Sequence, residues 1–318
     1  MNITDRIDAV TKIPETHLSP IPPAPKSVKI ECSPRCNYRC GFCALRMRDE
    51  QPKQDMDFSL FKRITGEMWE AGVEEIGVFF LGESFMNAGL LESCIRWCKK
   101  DLGFPYVFLT TNGSIAPPHR IEACLEAGLD SLKFSINAYD AEQFTEVMGV
   151  APRWFNKALE NLKWAKAIRD RGDFNCGIYA SSIRFDGEQQ KKMEALLRER
   201  VFPYVDEHYW LPLYSMGSFA TQREEELGYR PIAGNQGRIG ALREPLPCWS
   251  AFTEGHVRAD GHLSVCCFGA SDTFDIGDLN TMSFMDAWNS EAFTELRQAH
   301  LNKDVSDTVC ENCVAYQG

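Results

Sequence analysis

The chain has 318 residues, 44% of them hydrophobic and 25% charged, enough for one large core with a smaller appended unit. Its formal net charge is -11 with no long basic tract, which argues against a general nucleic-acid or anionic-membrane surface. The start, MNITDRIDAVTK, lacks a cationic segment ahead of an apolar run, and the longest apolar stretch, Ile76 to Leu81, is far too short to cross a bilayer; a cytoplasmic protein without a membrane partner is expected.

Residues 1–26 include the Pro-rich PETHLSPIPPAPK and read as an irregular, extended leader. SVKIEC (27–32) is a strand candidate, followed by a helical period over 57–72 that ends at a Gly. The apolar run 75–83 suits a buried parallel strand. Helix, strand, helix and strand follow at 90–100, 105–113, 118–128 and 131–140, and a long helical region at 141–171 is interrupted near Gly149 and Pro152. A strand at 176–185, a helix at 188–200 and a strand at 207–214 complete the series. Six strands alternating with helices over 27–214 predict an α/β fold, a parallel sheet wrapped by helices. Six units are too few for a closed eight-stranded barrel, so an open, partial (β/α)6 barrel is expected, with reactive groups at the carboxyl ends of its strands. Residues 215–247 read as a linker or lid, and 248–318 as a small C-terminal domain of a β-hairpin, a helix near 284–300 and a Cys-rich tail.

Thirteen cysteines are many for a cytosolic chain, where clustered thiols read as metal ligands rather than disulfides. Cys94, Cys98, Cys124 and Cys176 read as packed side chains, as do Trp154, Trp164, Trp249 and Trp288. Seven cysteines form two spaced groups. The first is Cys36-x3-Cys40-x2-Cys43, directly after the first strand. Three thiolates on a four-iron cluster leave one iron open to bind a small molecule; a closed zinc site that recruits Cys32 is the other reading of the spacing. In the second group, Cys248 is followed by Gly261, then Cys266, and finally by Cys310-x2-Cys313. Ala259-Asp260-Gly261 marks a hairpin turn, and strand alternation beyond it puts Cys266 and Cys267 on opposite faces.

CNYRCGFC resembles the signature of the radical S-adenosylmethionine (SAM) superfamily. The resemblance implies a [4Fe–4S] cluster on Cys36, Cys40 and Cys43 whose open iron chelates SAM and splits it to a 5′-deoxyadenosyl radical. It places Phe42 near the adenine, and Gly82 and Glu83 of LGE at the SAM amino group, with Leu81 in place of the family's first glycine. It likewise puts Asn112 of TTNG, Ser135 and Asn137 among the SAM contacts. Arg184 is a candidate for the SAM carboxylate or the substrate; with Tyr209 and Tyr214 it makes up the candidate catalytic set. The second group resembles the SPASM family of auxiliary domains in its abbreviated "twitch" form, implying a second [4Fe–4S] cluster on Cys248, Cys266, Cys310 and Cys313. A structural zinc on the same thiolates is the alternative.

By resemblance to twitch-type aminocyclitol dehydrogenation in butirosin biosynthesis, the expected activity is oxidation or rearrangement of a small polar, carbohydrate-like or amino-acid-derived molecule. The auxiliary cluster then acts as electron acceptor, and an external one-electron reductant such as flavodoxin or ferredoxin is the expected partner. The rival enzyme is a peptide maturase that forms a crosslink or an epimer. The rival of another class is a non-catalytic iron–sulfur or zinc scaffold.

Overall fold

The computed structural model describes residues 2–43, 45, 50–185, 187–212, 237–241, 244, 246–267, 269, 272–311 and 313. Six strands form the parallel sheet: β1 (Ser27–Ile30), β2 (Glu75–Gly77), β3 (Tyr106–Thr111), β4 (Ser131–Ser135), β5 (Gly177–Ile183) and β6 (Glu207–Leu211), each paired with the next. The helices are α1 (Ile3–Thr11), α2 (Phe58–Glu70), α3 (Ala88–Arg96), α4 (Pro118–Ala127), α5 (Ala141–Met148), α6 (Arg153–Gly172) and α7 (Gly187–Arg200). Their ends follow local chemistry. Asp57 caps α2 by accepting from Leu60 N at 2.8 Å, and Asp140 caps α5 through Gln143 N at 2.8 Å. Gly149 ends α5 at φ 65°, and Pro152 stands just before α6, which explains the interrupted helical pattern.

The C-terminal hairpin is not a separate layer. β7 (Glu254–Val257) pairs parallel with β1, and β8 (His262–Ser264) and β9 (Asp275–Asp278) follow antiparallel. The strand order is β6-β5-β4-β3-β2-β1-β7-β8-β9, an open sheet that never closes into a barrel. The expected helix near 284–300 is two helices, α8 (Phe284–Trp288) and α9 (Glu291–Leu301), because Ser290 starts a new cap on Phe293 N.

The leader holds helix α1 where an irregular segment is expected. Ile3 N donates to Glu207 Oε2 at 2.9 Å and Arg6 pairs with Glu75 at 2.6 Å while lying 3.5 Å over the Tyr106 ring. Lys26 Nζ reaches back to Ala9 O at 2.8 Å, and Arg238 grips Asp8 at 2.6 Å. Helix α1 therefore seals the amino end of the sheet. The Pro-rich segment is pinned to the C-terminal helices: Trp288 Nε1 donates to Pro23 O at 3.0 Å and Arg297 Nη1 to Pro20 O at 3.3 Å. Strand β2 is shorter than its apolar run, which turns into the Ser84–Asn87 helical turn when Ser84 Oγ bonds Val78 O at 2.7 Å. Cys94, Cys98, Cys124, Cys176 and Trp288 are core residues as expected, whereas Trp164 is exposed. Among the described residues no helix is long and apolar enough to cross a membrane.

Candidate active site

The loop after β1 carries Cys36, Cys40 and Cys43, and its course is fixed from both sides. Ser33 Oγ and Arg35 bind Asp55 at 2.6 Å each, and Asn87 Nδ2 donates to the same carboxylate at 2.9 Å. Opposite, Arg39 N and Gly41 N donate to Met148 O and Val147 O at the end of α5. The fit there is tight: a Cβ on Gly149 would stand 3.0 Å from Arg39 O. Cys43 N closes a turn on Cys40 O at 3.0 Å. Burial, then Cys43 and Cys36, push the Cys40 thiol well up, and burial, then Glu83, push Cys36 up to about 12. Neighbouring thiols in such surroundings ionise against a metal centre, and three on one loop suit three corners of a four-iron cluster.

The ends of the next strands pack on this loop. Gly82 N donates to Glu31 Oε1 at 2.9 Å, and a Cβ at Gly82 would lie 2.0 Å from Ser33 O, so only glycine fits. Glu83 N donates to Arg35 O at 2.8 Å. The buried Glu83 carboxylate accepts from Thr111 Oγ1 at 2.8 Å, Asn112 N at 2.7 Å and Phe85 N at 3.2 Å. Burial pushes its pKa up. Asn112 Nδ2 donates to Asn37 Oδ1 at 2.9 Å, which ties the TTNG turn to the cysteine loop. Asn112, Ser135 and Asn137 share a small pocket with Tyr38, and Asn137 Oδ1 also accepts from Ile183 N at 2.9 Å, splinting β4 to β5. Phe42 is half-buried against the core. The structure does not bring Arg184 into this group: its side chain is exposed, and its backbone N–H is spent on Leu211 O. Tyr214 lies outside the described residues, as does most of the expected lid.

A cavity of about 260 Å³ runs along the lumen, from the amino ends of the strands to Thr110 and Leu211 near the carboxyl ends of β3 and β6. Ser27, Glu75, Tyr106 and Ser131, the first residues of β1 to β4 or beside them, line it together with α1 and with Cys248, Cys266, Cys267, Cys310 and Cys313. Cys248 N donates to His300 Nδ1 at 3.2 Å, and burial pushes His300 down to about 4, which keeps that nitrogen a neutral acceptor. Cys313 N closes a turn on Cys310 O at 3.1 Å. Strand alternation does not separate Cys266 from Cys267, because β8 ends at Ser264 and both residues lie in the turn beyond it. Among the described residues no three His, Cys, Asp or Glu side chains converge on one metal-ion position. Cys248, Cys266, Cys310 and Cys313 line one cavity, and four thiolates are the donor set of a closed four-iron cluster.

The cavity wall also holds a polar group that no motif announces. Lys29 Nζ lies 2.7 Å from Glu254 Oε1, and His256 Nε2 lies 2.9 Å from Glu254 Oε2. Lys133 Nζ donates to Tyr209 Oη at 2.8 Å across the lumen. Burial, then Lys29, push Lys133 down to about 7, while Glu254 is held down at about 2 because Lys29 and His256 outweigh its burial. Gly77 leaves room for Lys29, whose Cγ would lie 3.1 Å from a Cβ there. The available signal was a lysine at the same alternate position in two otherwise buried strands, SVKI and SLKFS.

The radical SAM superfamily model matches residues 30–199. The chain belongs to the radical SAM superfamily. The SPASM model, described as an iron–sulfur cluster-binding domain, matches residues 248–314 and so spans Cys248, Cys266, Cys310 and Cys313. This radical SAM enzyme therefore works with SAM and [4Fe–4S] clusters. It is similar to the PqqA peptide cyclase of Xanthomonas campestris pv. campestris, 24% identical over 93% of this chain and 81% of that protein. It is also similar to the GTP 3′,8-cyclase of Chlorobaculum tepidum, 29% identical over 38% of this chain and 35% of that protein. Among solved structures, SuiB of Streptococcus suis bound to SAM superposes with a TM-score of 0.64 at 14% identity, over 92% of this chain and 72% of that one. BtrN in complex with AdoMet and 2-DOIA gives a TM-score of 0.58 at 14% identity, over 91% and 92%. At such identities these two show the shared fold.

Proposed function

We propose that this radical SAM enzyme oxidises its substrate by two electrons, with hydrogen-atom removal at the carboxyl end of the sheet and electron acceptance at the amino end. The supporting observation is the single cavity that joins lumen side chains of β1, β3, β4 and β6 to the auxiliary thiols. Cys36, Cys40 and Cys43 hold the first cluster, and Gly82, Glu83, Asn112, Ser135 and Asn137 position SAM, with the Glu83 carboxylate suited to its ammonium. Bound there, SAM and the cluster supply the carbon radical that takes the hydrogen atom. Cys248, Cys266, Cys310 and Cys313 close the auxiliary cluster with four thiolates, which leaves electron transfer rather than substrate binding as its role. Lys133, its pKa brought down to about 7 by burial and then by Lys29, and hydrogen-bonded to Tyr209, is placed to take the substrate's proton. An external one-electron donor such as flavodoxin or ferredoxin serves the first cluster, and the substrate is a small polar, carbohydrate-like or amino-acid-derived molecule.

A second reading, modification of a peptide, draws on the likeness to PqqA peptide cyclases across nearly the whole chain and on the fold shared with SuiB bound to the precursor peptide SuiA. One experiment separates the outcomes. Anaerobic wild type and Cys310→Ala are incubated with SAM, reductant and fractionated metabolite or peptide pools, then compared by mass spectrometry. Oxidation yields a product lighter by a hydrogen pair, with wild type only, and the fraction that contains it identifies the substrate class. A product of unchanged mass made by both proteins contradicts it.

A further inference from the structure

Two lysines line the lumen, and their partners differ. Lys29 of β1 is neutralised by the Glu254 carboxylate at 2.7 Å. Lys133 of β4 has no carboxylate in ion-pair contact among the described residues; its Nζ donates to Tyr209 Oη at 2.8 Å. We propose that Lys133 is a carbonyl-capturing amine, which condenses with an aldehyde or ketone in the lumen and holds it as an imine. The proposal rests on the reading of Lys133 as the group that takes the substrate's proton, and it names the substrate class: a carbinol, whose oxidation leaves a carbonyl beside that amine.

The lumen supplies what the condensation needs. The attacking amine must be neutral. Burial, then Lys29, bring Lys133 down to about 7, with Glu254 pulling the other way. The groups around it are Lys29 from β1, Tyr209 from β6 and Glu254 from β7, with the Arg6–Glu75 pair closing the amino end. A lysine desolvated beside another cation is a common form of amine nucleophile. Attack by Nζ on the carbonyl carbon forms the C–N bond and a carbinolamine. Its hydroxyl leaves with a proton as water, the C=N bond closes, and no electron is exchanged. Burial pushes the Tyr209 hydroxyl up, so it stays a phenol. At 2.8 Å from the amine it is placed to supply the proton that the departing hydroxyl takes. Phe79 and Phe108, in edge contact at 5.5 Å, and Leu211 line the same cavity, and an apolar wall favours a step that expels water. The proposed oxidation brings the carbonyl to this point. A carbinol gives its C–H hydrogen atom to the carbon radical, its O–H proton to Lys133 and one electron to the auxiliary cluster, and the C=O bond forms within reach of Nζ. Lys133 becomes a nucleophile again once it has passed that proton to water.

The test is reductive trapping. Anaerobic holoenzyme is incubated with benzaldehyde and cyanoborohydride, and the benzylated lysines are located by peptide mapping. Near neutral pH a surface lysine, with a pKa of about 10.4, is almost wholly protonated. The wild-type Lys133 peptide should therefore label at least about tenfold faster than any surface-lysine peptide, with the chain's α-amino group as the internal standard. Tyr209→Phe should slow the labelling. Lys29→Met, which removes the neighbouring cation, should move its half-maximum to higher pH. Iron content is measured for each variant, and the wild-type result stands without them. An unlabelled Lys133 beside a labelled α-amino group overturns the proposal, as does labelling that follows the pH dependence of the surface lysines or that proceeds at the wild-type rate in Tyr209→Phe. The proposed oxidation fails separately: a labelled Lys133 in an enzyme that makes no lighter product leaves the amine site standing, whereas a lighter product with Lys133 unlabelled overturns the amine site alone.

Discussion

Glu83 accepts the backbone N–H of Asn112 at 2.7 Å, so the carboxylate at the end of β2 is held by the turn that ends β3. With Thr111 Oγ1 and Phe85 N on the same group, its orientation is fixed by the protein's own hydrogen bonds. Glu83→Gln keeps the shape and removes the charge. A hydrogen bond to a charged partner contributes about 1.5–3 kcal/mol, so SAM affinity is expected to fall about tenfold to a hundredfold. Anaerobic calorimetry measures this, and an unchanged affinity assigns Glu83 to strand bracing alone.

Gly82→Ala acts on the cysteine loop by contact. Its Cβ would meet Ser33 O at 2.0 Å, a backbone atom that moves only with the loop. The expected result is loss of the first cluster with retention of the auxiliary one, so iron per chain drops by about half, from two four-iron clusters to one. Full iron content with normal SAM cleavage contradicts the placement.

Arg6→Ala tests the seal made by α1. It leaves Glu75 without the partner it holds at 2.6 Å and bares the Tyr106 ring. An acceptor left unsatisfied in a partly buried site costs about 1–3 kcal/mol. Chemical denaturation should show that loss, while Arg6→Lys should recover part of it.

His208 makes the fold sensitive to acid. Its Nε2 lies 3.0 Å from Ser182 Oγ, and burial pushes its pKa down to about 4. The unfolded chain binds the proton near the ordinary value of about 6.5, so the unfolded state holds more protons between those values. Stability is therefore full above the unfolded pKa and declines as pH falls toward about 4. At pH about 5 the loss is on the order of 1–2 kcal/mol. In denaturation series at neutral and mildly acid pH, His208→Asn should show a smaller acid loss than wild type; equal losses assign the sensitivity elsewhere.

The six-strand alternation and both cysteine groups were legible because each has a fixed spacing that local chemistry enforces. Helix α1 was not, since ITDRIDAVT is short and takes its place through Glu207, Glu75 and Tyr106, all distant in sequence. The merging of the C-terminal hairpin into the main sheet was hidden for the same reason: the pairing of β7 with β1 joins residues far apart in the chain. Alternation misled at Cys267 because β8 stops at Ser264, before the cysteines are reached. Lys29 and Lys133 were passed over because a lysine in a strand ordinarily points to water, and only the assembled lumen shows that these do not.

SAM cleavage by the Cys36–Cys40–Cys43 loop, independent of the auxiliary thiols, is tested most directly by 5′-deoxyadenosine formation from SAM and dithionite under anaerobic conditions. Wild type and Cys310→Ala should both produce it, and Cys40→Ala should produce none. Normal 5′-deoxyadenosine formation by Cys40→Ala would contradict the assignment of the site.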